Sequence, residues 1–277
     1  MTILFGLAAA VAWGGGDFGG GLMSRRAPVL GVVLLSQLVG LVITFGIAVV
    51  RSEVFPTGQD VIVCLVAGVL GGVGVTTLYQ ALAIGRMGVV APVTGVLAAV
   101  IPVVGGIVLQ GMPPPLVLAG IGAAIVAVLL VSRVADEGGG RAGLREALVA
   151  GVCIGLFGIA IAGLSEGNVF AALTLIRSVQ IVLVVAAILV MRAAWRPGRG
   201  VLPAIAVIGV LDMAGNGLYL LSVQSGALAV ASVLSALYPV VTVILAALVL
   251  RERVTRDHTI GIALAGAAIA LIGLGSA

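Results

Sequence analysis

The sequence predicts an all-α membrane protein, with ten transmembrane helices arranged as two inverted five-helix repeats. Three observations lead there. The 277 residues are 62% hydrophobic and only 9% charged, with a mean hydropathy of +1.36. A soluble domain carries about 25% charge, so this much apolar surface calls for lipid as solvent. Ten apolar segments are each about as long as the roughly 20 residues a helix needs to cross a bilayer. Finally, short strings recur at an offset near 140 residues.

In chain order the ten segments are 2–22, 29–50, 61–84, 89–109, 115–133, 146–164, 170–192, 201–222, 228–250 and 258–275. Segment one starts without a basic stretch and is followed by Arg25 and Arg26, the pattern of a retained span and not of a cleaved signal. The connections are short. The longest, residues 135–145, is charged and holds Gly138-Gly139-Gly140, which divides the chain into a first half at 1–134 and a second at 146–277. No stretch has room for a soluble domain.

Every basic residue is an arginine, and their placement sets the topology. The connections after segments one, three, five, seven and nine hold Arg25, Arg26, Arg86, Arg133, Arg141, Arg145, Arg192, Arg196, Arg199, Arg251, Arg253 and Arg256; the opposite connections hold only Arg51. The positive-inside rule places the arginine-rich connections in the cytoplasm and both termini outside. The basic balance therefore serves topology and implies no nucleic-acid partner.

The halves repeat one another. Leu78-Tyr79 recurs as Leu218-Tyr219, Gly88-Val-Val-Ala91 as Gly226-Ala-Leu-Ala229, and Val100-Ile-Pro-Val-Val104 as Leu237-Tyr-Pro-Val-Val241. Five spans per copy is an odd number, so the second copy enters the membrane inverted. Inverted repeats place a transporter's substrate site near the midplane between the copies. Two five-span repeats, the mid-span arginine of Leu173-Thr-Leu-Ile-Arg177, and Leu237-Tyr-Pro239 followed by Leu250-Arg-Glu-Arg253 and Gly261 resemble the EamA-type branch of the drug/metabolite transporter superfamily. The resemblance implies a ten-helix inner-membrane carrier, often an exporter of amino acids or other small metabolites. The first half departs from it, with Gln37 in the place of Arg177 and Met112-Pro-Pro-Pro115 in the place of Arg251-Glu-Arg253.

Charges inside spans are costly and mark function. There are three: Asp17, Arg177 and Asp212. At about 1.5 Å per residue, Asp212 and Trp13 fall close to the midplane, Arg177 roughly 6 Å to the outer side and Asp17 roughly 7 Å to the cytoplasmic side. Arg177 is thus within reach of Asp212. Two readings stand for that couple: an ion pair joining two spans, or cavity groups that meet a charged or zwitterionic ligand. Asp17 has three: a proton-coupling group, a contact for a cationic substrate, or a carboxylate reaching water at the cytoplasmic gate.

Segment eight carries Asp212, Asn216 and Tyr219 on one helix face, answered in segment three by Gly72, Thr76 and Tyr79. These faces either hydrogen-bond between helices or line a cavity. Segment nine adds Ser232, Ser235, Tyr238 and Pro239, with Pro102 answering Pro239 in segment four. Paired prolines read as hinges at the binding region or as static kinks. The expected substrate-binding set is Trp13, Thr76, Tyr79, Asp212, Asn216, Tyr219, Ser235 and Tyr238, with Asp17, Arg177 and Asp212 as coupling or gate groups.

Enzymatic motifs are missing. The glycines of Gly14–Gly21 come without a phosphate-loop lysine, His258 stands alone, and Glu252 reads as a loop charge. Cys64 and Cys153 have neither metal-site nor disulfide spacing. The expectation is a non-enzymatic carrier without cofactor or metal, sufficient as a monomer. Its partners are the bilayer, an amino acid or amine-like metabolite and, in one reading, protons. A drug or cation exporter and a membrane scaffold are the alternatives.

Overall fold

The computed structural model describes residues 1–85, 87–131, 142–165, 167–249 and 256–275. Arg86, Arg133, Arg141, Arg251, Glu252, Arg253 and most of the 135–145 connection lie outside them. The described residues form helices joined by short turns, with no strand. Their order is α1 (Thr2–Ser24), α2 (Val29–Val50), α3 (Gln59–Ile84), α4 (Met87–Gln110), α5 (Pro115–Val131), α6 (Leu144–Ala162), α7 (Val169–Met191), α8 (Leu202–Gln224), α9 (Leu228–Ser235), α10 (Tyr238–Val249) and α11 (Arg256–Gly275). Seven helices are long and apolar enough to cross a membrane, and shorter apolar stretches run over Pro115–Ala127, Leu228–Thr242 and Thr259–Ile272. The molecule is a multi-pass membrane protein. Large apolar side chains such as Val42, Phe45, Val108, Leu189 and Leu274 point outward, as a perimeter solvated by lipid requires.

The ninth segment is two helices. Ala236 caps α9, and the break is bridged by short-range bonds from the Leu237 N–H to the Leu234 carbonyl (3.3 Å) and from the Val240 N–H to the Leu237 carbonyl (3.0 Å). Pro239 sits in the first turn of α10, where its missing N–H has no helical partner to lose. Pro102, by contrast, lies inside unbroken α4. The expected pair of interruptions is therefore present on one side only: a continuous helix carries the proline in the first half, and a helix boundary carries it in the second.

Packing partners exchange between halves. α1 packs on α8 and α6 on α3; α1 also meets α9 and α10, while α6 meets α4; α2 lies along α8 and α7 along α3. The matching helices α2 and α7, α4 and α9, and α5 and α11 touch each other directly. Glycines permit the closest of these contacts. A Cβ on Gly14 would stand 2.6 Å from both the Tyr238 carbonyl oxygen and the Val241 Cβ, so α1 can approach α10 only without one.

The connections sort onto two ends. At one end the Ser222 hydroxyl donates to the Thr2 carbonyl (2.7 Å), Gln224 Nε2 to the Ser165 carbonyl (3.4 Å), and the Leu228 N–H to Gln110 Oε1 (2.9 Å). At the other, Arg25 Nε donates to the Leu82 carbonyl (3.3 Å).

Candidate functional site

A cavity of about 80 Å³ lies between the halves, room for a few water molecules or one small organic group. Helices α1, α2, α3, α4, α6, α7, α8, α9 and α10 contribute to its wall. The wall combines charged and amide groups, Asp17, Arg177, Asp212 and Asn216, with aromatic ones, Trp13, Phe157, Tyr219 and Tyr238.

Arg177 is the centre of the polar groups. Its side chain is 2% exposed, and Nη1 donates to Asp212 Oδ2 at 2.5 Å, to Gln37 Oε1, and to Gln180 Oε1 at 3.4 Å. Gln37 and Arg177 occupy the same place in the two halves and meet across the interface. Asp212 is also held by its own helix, where Asn216 Nδ2 donates to its carbonyl (2.7 Å) and to Oδ1 (3.1 Å). Among the described residues, Arg177 Nη2 is buried without a hydrogen-bond partner, and so is the Tyr238 hydroxyl. Buried polar groups are almost always satisfied, so these two groups in the cavity wall are free to hydrogen-bond a ligand. No hydrogen bond or ion pair of Asp17 occurs among the described residues.

The aromatic groups are fixed by packing. The rings of Trp13 and Tyr219 lie 5.4 Å apart at 39°. The Tyr219 hydroxyl shares a 2.8 Å hydrogen bond with Ser232 Oγ. Trp13 sits against Gly215 of α8, where a Cβ would collide with the indole. Ser235 lines the cavity, and its hydroxyl donates back to the Ala231 carbonyl.

Pro102 bears on this wall too. Lacking an N–H, it cannot bond the carbonyl four residues earlier. Inside unbroken α4 this leaves the Ala98 carbonyl without its helical donor, and Ala98 lines the cavity; Pro239, in the first turn of α10, removes no such bond.

Of the residues expected to bind substrate, Trp13, Asp212, Asn216, Tyr219, Ser235 and Tyr238 line the cavity, as do Asp17 and Arg177; Thr76 and Tyr79 do not. Tyr79 is 1% exposed and lodges against α1 at Gly20, a glycine that leaves room for the ring. Tyr79 thus packs on α1, whereas its counterpart on α8, Tyr219, lines the cavity. Sequence reasoning left Phe157, Gln180 and Ala98 unassigned. Gln180 had a legible signal, since it lies one turn from Arg177 on the same face of α7; Phe157 had none.

The signature of the EamA-like transporter family matches residues 1–133 and again residues 142–274. The chain belongs to the EamA-like transporter family. The family match runs through both sets of cavity-lining helices. EamA-like proteins are transporters, so a small-molecule substrate and the lipid bilayer are the partners the family implies. No curated protein sequence matches this EamA-like chain. Among 27 matching chains of solved structures, one crystal structure, described only as that of a protein, superposes with a TM-score of 0.78 over 99% of this chain and 96% of its own, at 18% identity. That likeness concerns the fold alone.

Proposed function

We propose that this EamA-like protein is a ten-span secondary transporter of the inner membrane. In this reading it exports small metabolites, amino acids or related amines, by alternating access. The halves 1–134 and 146–277 are inverted five-helix repeats rocking about the cavity. The connection 135–145 and the other arginine-rich loops lie in the cytoplasm, with both termini outside. The exchange of packing partners between halves supports the repeat. The sorting of connections onto two ends supports the sidedness.

One observation carries the substrate reading. The cavity holds an unpartnered guanidinium N–H group on Arg177 and a free carboxylate on Asp17, beside a wall of aromatic rings. A ligand carboxylate suits Arg177 Nη2 and the Tyr238 hydroxyl. A ligand ammonium suits Asp17, with the rings of Trp13 and Tyr238 adding cation–π attraction. The Arg177–Asp212 pair then does more than join α7 to α8; it keeps Asp212 neutralised and turns the second guanidinium nitrogen toward ligand. Pro102 and Pro239 are hinge candidates in the same scheme.

A second reading, a proton-coupled exporter of organic cations, is favoured by the same free Asp17 carboxylate. Counterflow in proteoliposomes decides between them. Under the first reading, unlabelled zwitterionic amino acids drive uptake of labelled amino acid. Competition by quaternary amines alone would move the assignment to cations, and exchange of no solute would overturn transport.

A further inference from the structure

The connection between α2 and α3 crosses to the other half and grips it. Ser52 turns the chain with φ 53° and presents Glu53, whose side chain is 3% exposed. Glu53 Oε2 accepts the backbone N–H groups of Phe170 (2.8 Å) and Ala171 (2.9 Å) in the first turn of α7. Glu53 Oε1 takes Arg51 Nε at 3.0 Å, and the Arg51 guanidinium lies 5.8 Å from the centre of the Phe170 ring. Beside it the Val54 N–H donates to Asn168 Oδ1 (3.1 Å), and the Ser165 N–H to Asp60 Oδ1 (3.3 Å). A carboxylate receiving two N–H groups at a helix N-terminus is held by charge-assisted bonds and by the helix dipole.

The opposite end of the molecule has the same backbone without the clasp. Arg192, 140 residues after Ser52, takes φ 49°, and these are the only non-glycine residues with positive φ among those described. The counterpart of Glu53 is Ala193, which has no acceptor side chain, and the counterpart of Asn168 is Pro28. There the chain closes by backbone contact, with Gly31 lying directly under the Trp195 carbonyl.

We infer that Glu53 is the lock of the outward gate. α2 packs on both α7 and α8, and α7 on both α2 and α3, so the clasp ties the connection between α2 and α3 to the first turn of the second-half helix that carries Arg177. Opening the cavity to the outside draws this connection away from the start of α7 and releases the Phe170 and Ala171 N–H groups from Glu53. The cytoplasmic gate, with alanine in the matching place, opens without breaking such a bond. The inference rests on the transport reading and on its sidedness.

The test uses the full chain with Cys64 and Cys153 replaced by alanine and a single reporter, Ala98→Cys, in the cavity wall. A membrane-impermeant maleimide is added to right-side-out and to inside-out vesicles. Glu53→Ala raises labelling from outside about ten-fold, the population change expected from losing one capping carboxylate. It lowers labelling from the cytoplasmic side. Glu53→Gln, which keeps one acceptor without charge, gives a smaller rise. Arg51→Ala leaves both bonds to α7 in place and stays within about two-fold of the parent, the scale of an exposed ion pair. Unchanged labelling in both vesicle types for a Glu53→Gln protein that elutes as a single peak would overturn the lock. A rise from the cytoplasmic side alone would overturn its outward assignment. Loss of counterflow in the parent, with the labelling change intact, would sink the transport reading and leave the lock standing.

Discussion

At the scale of single residues, the interior is organised around one buried guanidinium. Breaking a buried ion pair from one side leaves an uncompensated charge and costs about 3–5 kcal/mol, whereas replacing both partners with apolar groups is often neutral. Arg177→Met is therefore expected to lower the detergent melting temperature sharply, because it strands Asp212 beside Asn216. The double change Arg177→Met, Asp212→Leu is expected to regain most of that stability and still fail in counterflow. A folded double mutant with full transport would reduce the pair to a structural fastener. Asp17 behaves differently, since no hydrogen bond or ion pair holds it among the described residues. Asp17→Asn is expected to leave the melting temperature within a few degrees while reducing counterflow of amine-bearing substrates about ten-fold, the value of one ligand ion pair worth roughly 1.4 kcal/mol. Equal counterflow by the two proteins would remove Asp17 from the ligand site. Both acids and the arginine were legible in the sequence, because a charge in an apolar span is visible without a structure. The aromatic wall was only half legible: Trp13, Tyr219 and Tyr238 stood out, but Phe157 is one apolar residue among many until its neighbours are known.

At the scale of elements, the glycines of α1 and the break between α9 and α10 shape the cavity. Gly14 lets α1 approach the carbonyl of Tyr238, and the Thr242 hydroxyl donates to the Gly14 carbonyl at 3.2 Å, so the two helices are both close and bonded. Gly14→Leu is expected to push α10 away and to cost stability on the scale of an overpacked core, about 1–3 kcal/mol, with loss of transport. Gly46→Ala meets nothing within 4 Å and is expected to be neutral or slightly stabilising; thermal melts of the two proteins side by side check the contrast. Helix positions followed directly from hydropathy, because every span must satisfy its backbone internally and present apolar side chains to lipid. The split of segment nine did not follow. Proline marks both Pro102 and Pro239 as weak points, but whether a helix bends, breaks or continues depends on what its neighbours supply, and the two halves supply different things.

At the scale of the molecule, the two ends differ. One is tied by side-chain hydrogen bonds between connections, including the Glu53 clasp with Arg51, and the other carries Arg25, Arg26, Arg192, Arg196 and Arg199 among the described residues. A C-terminal alkaline phosphatase fusion is expected to be active, and a C-terminal green fluorescent protein fusion dark, if the clasped end faces out. Bright fluorescence would invert the topology and with it the assignment of the gates. By itself the sequence determined the solvent, the approximate helix limits, the family resemblance, the internal repeat and the three intramembrane charges. Each of these is local or periodic, and hydropathy, charge and self-similarity report such features directly. Only the tertiary structure decided which polar faces meet at the cavity. Equivalent stripes on α3 and α8 have nearly the same pattern, yet Tyr79 lodges against Gly20 of α1 while Tyr219 reaches Ser232 and the cavity. It also joined Arg177 to its own counterpart, Gln37, and set Glu53 on the first turn of α7. The last two outcomes depend on which helices become neighbours across more than a hundred residues of chain, and a side chain's role there is set by the partner it meets.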